Sequence, residues 1–251
     1  TMVLCCIFIY KNSNNVFMTI FLFIALRYFF ESMNTMREFL AVAVTLFAFK
    51  YVKTRGIWKY LFFVAIATTL HYSAILSVLI YFLYNMDGER GKKMRILLLL
   101  TTAISFIFLG SIVQYIVSLV PRYAAYLNRI DSFKLFNIIT AIRNIVVLIY
   151  VSICQRYTQK DKDTNFMVNI AWVIVCFSFL SMKMNIIARS SYYFNIFSII
   201  LLPNITNLIK NEKTRKFCKL GIYVSFLALY LTIFILRPEW SYVSNYSFQF
   251  N

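Results

Sequence analysis

Acidic residues are scarce in this chain: nine Asp and Glu stand against 26 Lys and Arg, and charged residues make up only 14% of its 251 positions. Histidine occurs once, as His71. The five cysteines, Cys5, Cys6, Cys154, Cys176 and Cys218, form no CxxC pair and have no His partner at metal spacing. These shortages argue against structural zinc and thiol redox chemistry, so no metal ligands and no cofactor are expected. No cleavable signal peptide is expected from Met2 to Tyr10, which is too short and wrongly flanked. No internal repeat and no low-complexity linker interrupts the chain.

Apolar residues, by contrast, are abundant, at 61%. Runs of membrane-spanning length recur, separated by short polar stretches. The expected fold is an all-α polytopic membrane protein, one transmembrane domain over residues 1–251 with about nine to ten spanning segments. The segments are Met2–Tyr10 (partial), Val16–Phe30, Phe39–Phe49, Trp58–Tyr84, Ile96–Val120, Phe136–Cys154, Phe166–Ser181, Tyr192–Ile209 and Leu220–Leu236. With Thr1 before a half-length apolar run, the N-terminus is expected to be a cut end, with earlier helices missing. A net charge of +17 raises nucleic acid as a partner, but no RNA- or DNA-binding motif is present. Lys and Arg in cytoplasmic loops account for most of it, with the remainder left for an anionic ligand.

His71 lies inside the apolar stretch Trp58–Tyr84. An ionisable side chain there marks a functional site by default. The bland reading is that it caps a break between two short helices and hydrogen-bonds a neighbour. Four basic stretches are expected to be cytoplasmic: Lys50–Lys59, Arg90–Arg95, Arg156–Lys162 and Lys210–Lys219. Both flanks of Trp58–Tyr84 are then on one side. That predicts a helical hairpin with its tip at Thr69–Ser73 and arms of about 14 residues, or roughly 21 Å. A tip so short of the far surface needs protein or a water-filled cavity around it.

Alternation then puts several cations on the outer face, against the usual bias. Arg37 opens the helix of Phe39–Phe49, next to Glu38. Arg122, Tyr126 and Arg129 are spaced i, i+4 and i+7, a stripe suited to a charged glycoconjugate. Arg189 and Tyr193 are expected to share a helical face. Arg143 lies about two turns inside its span, roughly 10 Å deep, and is expected to contact substrate or to pair with Glu38, Glu31 or Asp131. Arg27 is similarly intramembrane. Snorkelling to headgroups or an interfacial helix would explain Arg37, Arg122, Arg129 or Arg189 one at a time.

MREFLAVAVTLFAF, then YLFFVAIATTLHYSAILSVLIYFL, then ARSSYYFNIFSIILLP, in this order, resemble the EpsG-like family of bacterial exopolysaccharide and capsule synthesis, related to Wzy-type polymerases. Arg37, Ala67-His71-Tyr72-Ser73-Ala74 and Arg189-Tyr193-Pro203 match its pattern. Where the family often has Gln after the first Arg, this chain has Glu38, a residue able to tether Arg37. The resemblance implies a glycan polymerase of the cytoplasmic (inner) membrane, working on its outer face. Its donor would be an oligosaccharide on undecaprenyl diphosphate, its acceptor a hydroxyl of a second lipid-linked repeat. His71, Arg37 and Arg189 would be catalytic. Arg143, Arg122, Tyr126, Arg129, Tyr193 and Glu38 would bind substrate. Partners would include membrane lipid, a flippase and a chain-length regulator. A lipid-linked oligosaccharide transporter or a non-catalytic assembly partner are the other classes open.

Overall fold

The computed structural model describes residues 1–119, 135–156 and 161–236. Every regular element among them is helical. The chain divides into two compact units, residues 1–75 with 196–251 and residues 76–195.

The first unit begins with α1 (Met2–Asn12), α2 (Val16–Ala25), α3 (Tyr28–Asn34), α4 (Met36–Lys53) and α5 (Ile57–Leu70). The chain returns to it with α12 (Ser198–Asn207) and α13 (Glu212–Leu236). Phe8, Phe49 and Phe197 meet edge to face at its centre, with centroids 5.2 to 6.0 Å apart. Such aromatic contacts add to plain area burial. Asparagines satisfy the α1–α2 connection, which would otherwise leave backbone groups unpaired in an apolar setting. Asn204 Nδ2 donates to the Asn12 carbonyl at 2.7 Å, and Asn14 N–H donates to Asn204 Oδ1 at 2.8 Å.

In α4 and α5 the two helices form an antiparallel pair closed by Thr54–Gly56. Arg55 takes a left-handed conformation there (φ 56°). Phe63 packs against Phe47 and Tyr51, at 5.7 and 5.6 Å. Lys50 Nζ sits over the Phe47 and Tyr51 rings. The turn end of this pair is therefore basic.

The second unit comprises α6 (Val78–Asn85), α7 (Gly88–Leu119), α8 (Leu135–Arg156), α9 (Lys162–Lys183), α10 (Asn185–Ser190) and α11 (Tyr192–Asn195). Helix α9 is its hub, packing on α6, α7, α8 and α10. Asn169 Nδ2 donates to the carbonyls of Leu83 and Met86, at 3.0 and 2.9 Å, satisfying the open end of α6. Tyr84 Oη donates to Asp163 Oδ1 at 2.9 Å. Helices α8 and α9 run antiparallel, tied by Asn137 to the Ser181 carbonyl at one end and Gln155 to Asn165 at the other.

Four helices among the described residues are long and apolar enough to cross a membrane: α7, α8, α9 and α13. A fifth span results if the bent pair α2–α3 is counted as one. The expectation of nine to ten spans is not supported beyond that. The reasons are local. Helix α4 has 18 residues but holds four charges, Arg37, Glu38, Lys50 and Lys53. The run Val16–Phe30 breaks at Arg27, where the chain bends by 55°. The run Tyr192–Ile209 is interrupted at Ile196–Phe197. Trp58–Tyr84 divides into α5, a 3-10 turn (Tyr72–Ser77) and α6, each shorter than a bilayer core.

Candidate functional site

His71 ends α5, in extended backbone (φ −153°, ψ 123°), with its N–H on the Ala67 carbonyl at 3.0 Å. The break falls inside the expected tip, Thr69–Ser73. The arms on either side pack on different partners, α5 on α4 and α6 on α9. The His71 carbonyl accepts from Ala74 N–H at 3.0 Å, and its Nδ1 is 2.7 Å from Ser73 Oγ. The cap and the hydrogen bond match the bland reading, and they also fix the ring. Either partner of this contact can be the donor: Nδ1–H donating to Ser73 would put the ring's lone pair on Nε2, the arrangement suited to a general base, whereas Ser73 O–H donating would put it on Nδ1.

Arg37 and Glu38 occupy the first turn of α4. The α4–α5 register, carried forward from Phe47 and Phe63, brings His71 level with Phe39. Arg37, Glu38 and His71 thus lie at the same end of the pair, opposite its basic turn. Successive residues of a helix point about 100° apart, and these two separate sharply: Arg37 is exposed, whereas Glu38 is 4% exposed. Arg37 forms no ion pair among the described residues, so Glu38, though able to tether it, does not pair with it.

In the second unit, Arg143 is half-buried in α8, eight residues from the helix start, or about 12 Å along the axis. Its Nε and Nη2 both donate to Asn144 Oδ1, at 3.1 and 3.0 Å. Asn144, itself buried, donates from Nδ2 to Ser178 Oγ at 2.6 Å, and Ser178 donates to the Ile174 carbonyl at 2.7 Å. One guanidinium is thereby tied to the backbone of α9 through two neutral side chains. Beyond the end of α9, Arg189 is exposed and makes no ion pair among the described residues. Tyr193, expected beside it, is fully buried. The helical path changes at the turn around Ser191, and the next residue, Phe194, packs at a tilt on Phe177 with ring centroids 4.9 Å apart. The shared face of Arg189 and Tyr193 is therefore corrected: one side chain points to the surface and the other into the core.

Arg122, Tyr126 and Arg129 lie outside the described residues. The remaining candidates divide by unit, with Arg37, Glu38 and His71 in the first and Arg143, Arg189 and Tyr193 in the second. No group of three or more His, Cys, Asp or Glu side chains able to hold a metal ion occurs among the described residues.

Three features escaped sequence reasoning. Lys183, the last residue of α9, donates to the Phe106 carbonyl at 3.0 Å and lies over that ring. Asn144 and Ser178 are 34 residues apart and carry no local motif. Arg27 and Glu31 form an ion pair at 3.6 Å, with side chains only 6% and 13% exposed. Their i, i+4 spacing inside an apolar run was the available signal.

A chain of apolar spans with ionisable residues inside them is a multi-pass helical membrane protein. The family model of the EpsG family matches residues 1–248, and the chain belongs to that family. Membership places it among membrane proteins of exopolysaccharide synthesis, with an association to glycosyltransferase-like function. No curated protein and no solved structure matches it.

Proposed function

We propose that this protein polymerises lipid-linked polysaccharide repeats on the outer face of the bacterial cytoplasmic membrane. The donor is an oligosaccharide on undecaprenyl diphosphate. A hydroxyl of a second repeat attacks the donor's anomeric carbon, its O–H proton passes to His71, and the anomeric C–O bond to diphosphate breaks. Undecaprenyl diphosphate leaves with the bonding electrons. Arg37, Arg143 and Arg189 stabilise that leaving group, and Arg122 and Arg129 guide the glycan.

The observation that carries the reading is Arg143, a guanidinium inside a membrane span that places two of its donors on the Asn144 amide oxygen. A preorganised donor in a low-dielectric setting is what a developing anion needs. The 2.7 Å contact of His71 with Ser73 adds an oriented base to the same family framework.

The test is activity of the purified protein on a lipid-linked repeat in detergent. Longer lipid-linked glycans are expected with wild type and not with His71→Ala or Arg143→Ala. Transport without extension would favour the flippase reading. Normal polymer length in cells carrying either variant would favour a non-catalytic partner.

A further inference from the structure

A second cationic feature lies at the other end of the second unit, away from Arg143. There the start of α7, the end of α8 and the first half of α9 line an open cavity of about 620 Å³. Its polar lining includes Lys92, Arg95 and Arg156, with Ser152, Gln155 and Trp172 beside them, and contains no carboxylate. Glu89 is 2.6 Å from Lys92 and offsets part of that charge. Neither Arg95 nor Arg156 forms an ion pair among the described residues.

We infer that this cavity binds the phosphodiester headgroup of an anionic phospholipid. Three observations point there. Two guanidinium forks suit phosphate oxygens better than point charges do. The site's depth is that of a headgroup: Arg95 immediately precedes the unbroken apolar run from Ile96, and Arg156 is the last residue of α8. Trp172, midway along α9, forms the inner wall of the cavity below these cations.

The third observation separates a lipid from a free anion. Ile96, which lines the cavity, begins an exposed stripe with Leu100, Ile104 and Ile107, each more than half exposed. The stripe runs about 16 Å along α7, roughly half the thickness of the hydrocarbon core. A phosphate in the cavity would leave its acyl chains against this stripe. A soluble phosphate would gain nothing from it. Basic pockets between membrane helices hold anionic lipid headgroups for the same reasons.

Native mass spectrometry of the full chain in detergent tests this with three probes: dioleoyl phosphatidylglycerol, dioleoyl phosphatidylcholine and glycerol 3-phosphate. Wild type should retain phosphatidylglycerol roughly tenfold better than phosphatidylcholine, which has the same phosphodiester but adds a choline cation that Lys92, Arg95 and Arg156 repel. Glycerol 3-phosphate should not displace it. Arg95→Gln/Arg156→Gln should abolish the preference, and Ser152→Trp should do so by filling the cavity while leaving its cations. Lys213→Gln/Lys219→Gln on α13 should retain it. Equal retention of the two lipids by wild type would overturn the assignment. Displacement by glycerol 3-phosphate would reassign the cavity to a free anion, and equal loss in the α13 variant would reduce the effect to general charge.

Discussion

Arg143 donates twice to a single oxygen of its chain neighbour, Asn144 Oδ1. Adjacent residues on a helix point in different directions, so the long Arg side chain must bend back to reach it. Asn144 is buried and is held by Ser178 on α9. A helix–helix contact thus takes part in holding the guanidinium.

Substitutions at Asn144 separate position from charge. Asn144→Ala should destabilise the α8–α9 contact by about 1–3 kcal/mol, the cost of leaving buried partners unsatisfied. Asn144→Asp keeps an acceptor for Arg143 but places a negative charge beside it. Like the Ala variant it loses the amide donor to Ser178, so its rate is compared per folded protein, and there it should polymerise at least about tenfold more slowly, equivalent to about 1.4 kcal/mol in the barrier. Rates normalised to protein level decide it; an Asp variant at wild-type rate would remove Arg143 from the anion site.

The bend at Arg27 gives a second pair of variants. Arg27 is a non-glycine residue at φ 69°, buried, and paired with Glu31. Breaking a buried pair by removing one partner costs about 3–5 kcal/mol. Arg27→Ala loses the pair and keeps the strained backbone. Arg27→Gly loses the pair but relieves roughly 1 kcal/mol of strain. Thermal aggregation in detergent should therefore rank wild type above Arg27→Gly and Arg27→Ala lowest. Alanine above glycine would mean that the left-handed turn is not retained.

How much of this was legible in the sequence depends on the kind of signal. The long spans were legible, because apolar length alone identifies α7, α8, α9 and α13. Their ends were not: the run Ile96–Val120 corresponds to a helix that begins at Gly88, since Glu89–Arg95 is polar yet helical. Hydropathy stops at the membrane boundary, whereas backbone hydrogen bonding continues past it. The break at His71 was legible from charge on both flanks. The burial of Tyr193 was not, because i, i+4 spacing assumes an uninterrupted helix and the path changes near Ser191. The tie between Asn144 and Ser178 depends on how α8 meets α9, which no local pattern encodes.

Sidedness is the third prediction. In the second unit, Arg95 near the start of α7 and Arg156 at the end of α8 line one cavity, as alternating spans require. Cysteines at Arg55, Lys92, Lys162 and Lys213 should be protected from an impermeant thiol reagent in intact cells, and cysteines at Ser73 and Arg129 should react, on a background lacking the native cysteines. Labelling at Lys92 from outside would invert the second unit and with it the outer-face location of Arg143.

Chelation is the fourth. Carboxylates are few, and no cluster of three metal-binding side chains occurs among the described residues. Chain extension by the purified protein should persist in EDTA. Loss of activity that Mg²⁺ or Mn²⁺ restores would require ligands from the substrate diphosphate or from residues elsewhere in the protein.

The last prediction concerns the arginines themselves. Lysine keeps the charge of arginine but lacks the planar fork that engages two phosphate oxygens together. Losing one charge-assisted donor aimed at a leaving group costs on the order of 3 kcal/mol, or about 100-fold in rate. Arg143→Lys should show this loss most fully, because its guanidinium is already fixed on Asn144 and half-buried. Arg37→Lys and Arg189→Lys should fall in the same direction but by less, since both side chains are exposed and solvent weakens each contact. Arg122→Lys and Arg129→Lys should stay active and yield shorter chains, as expected of residues that guide glycan. The measurement is initial rate and polymer length, normalised to expression, for the five single variants. Near-normal rates at Arg37, Arg143 and Arg189 together would sink the diphosphate assignment and leave the arginines a structural role only.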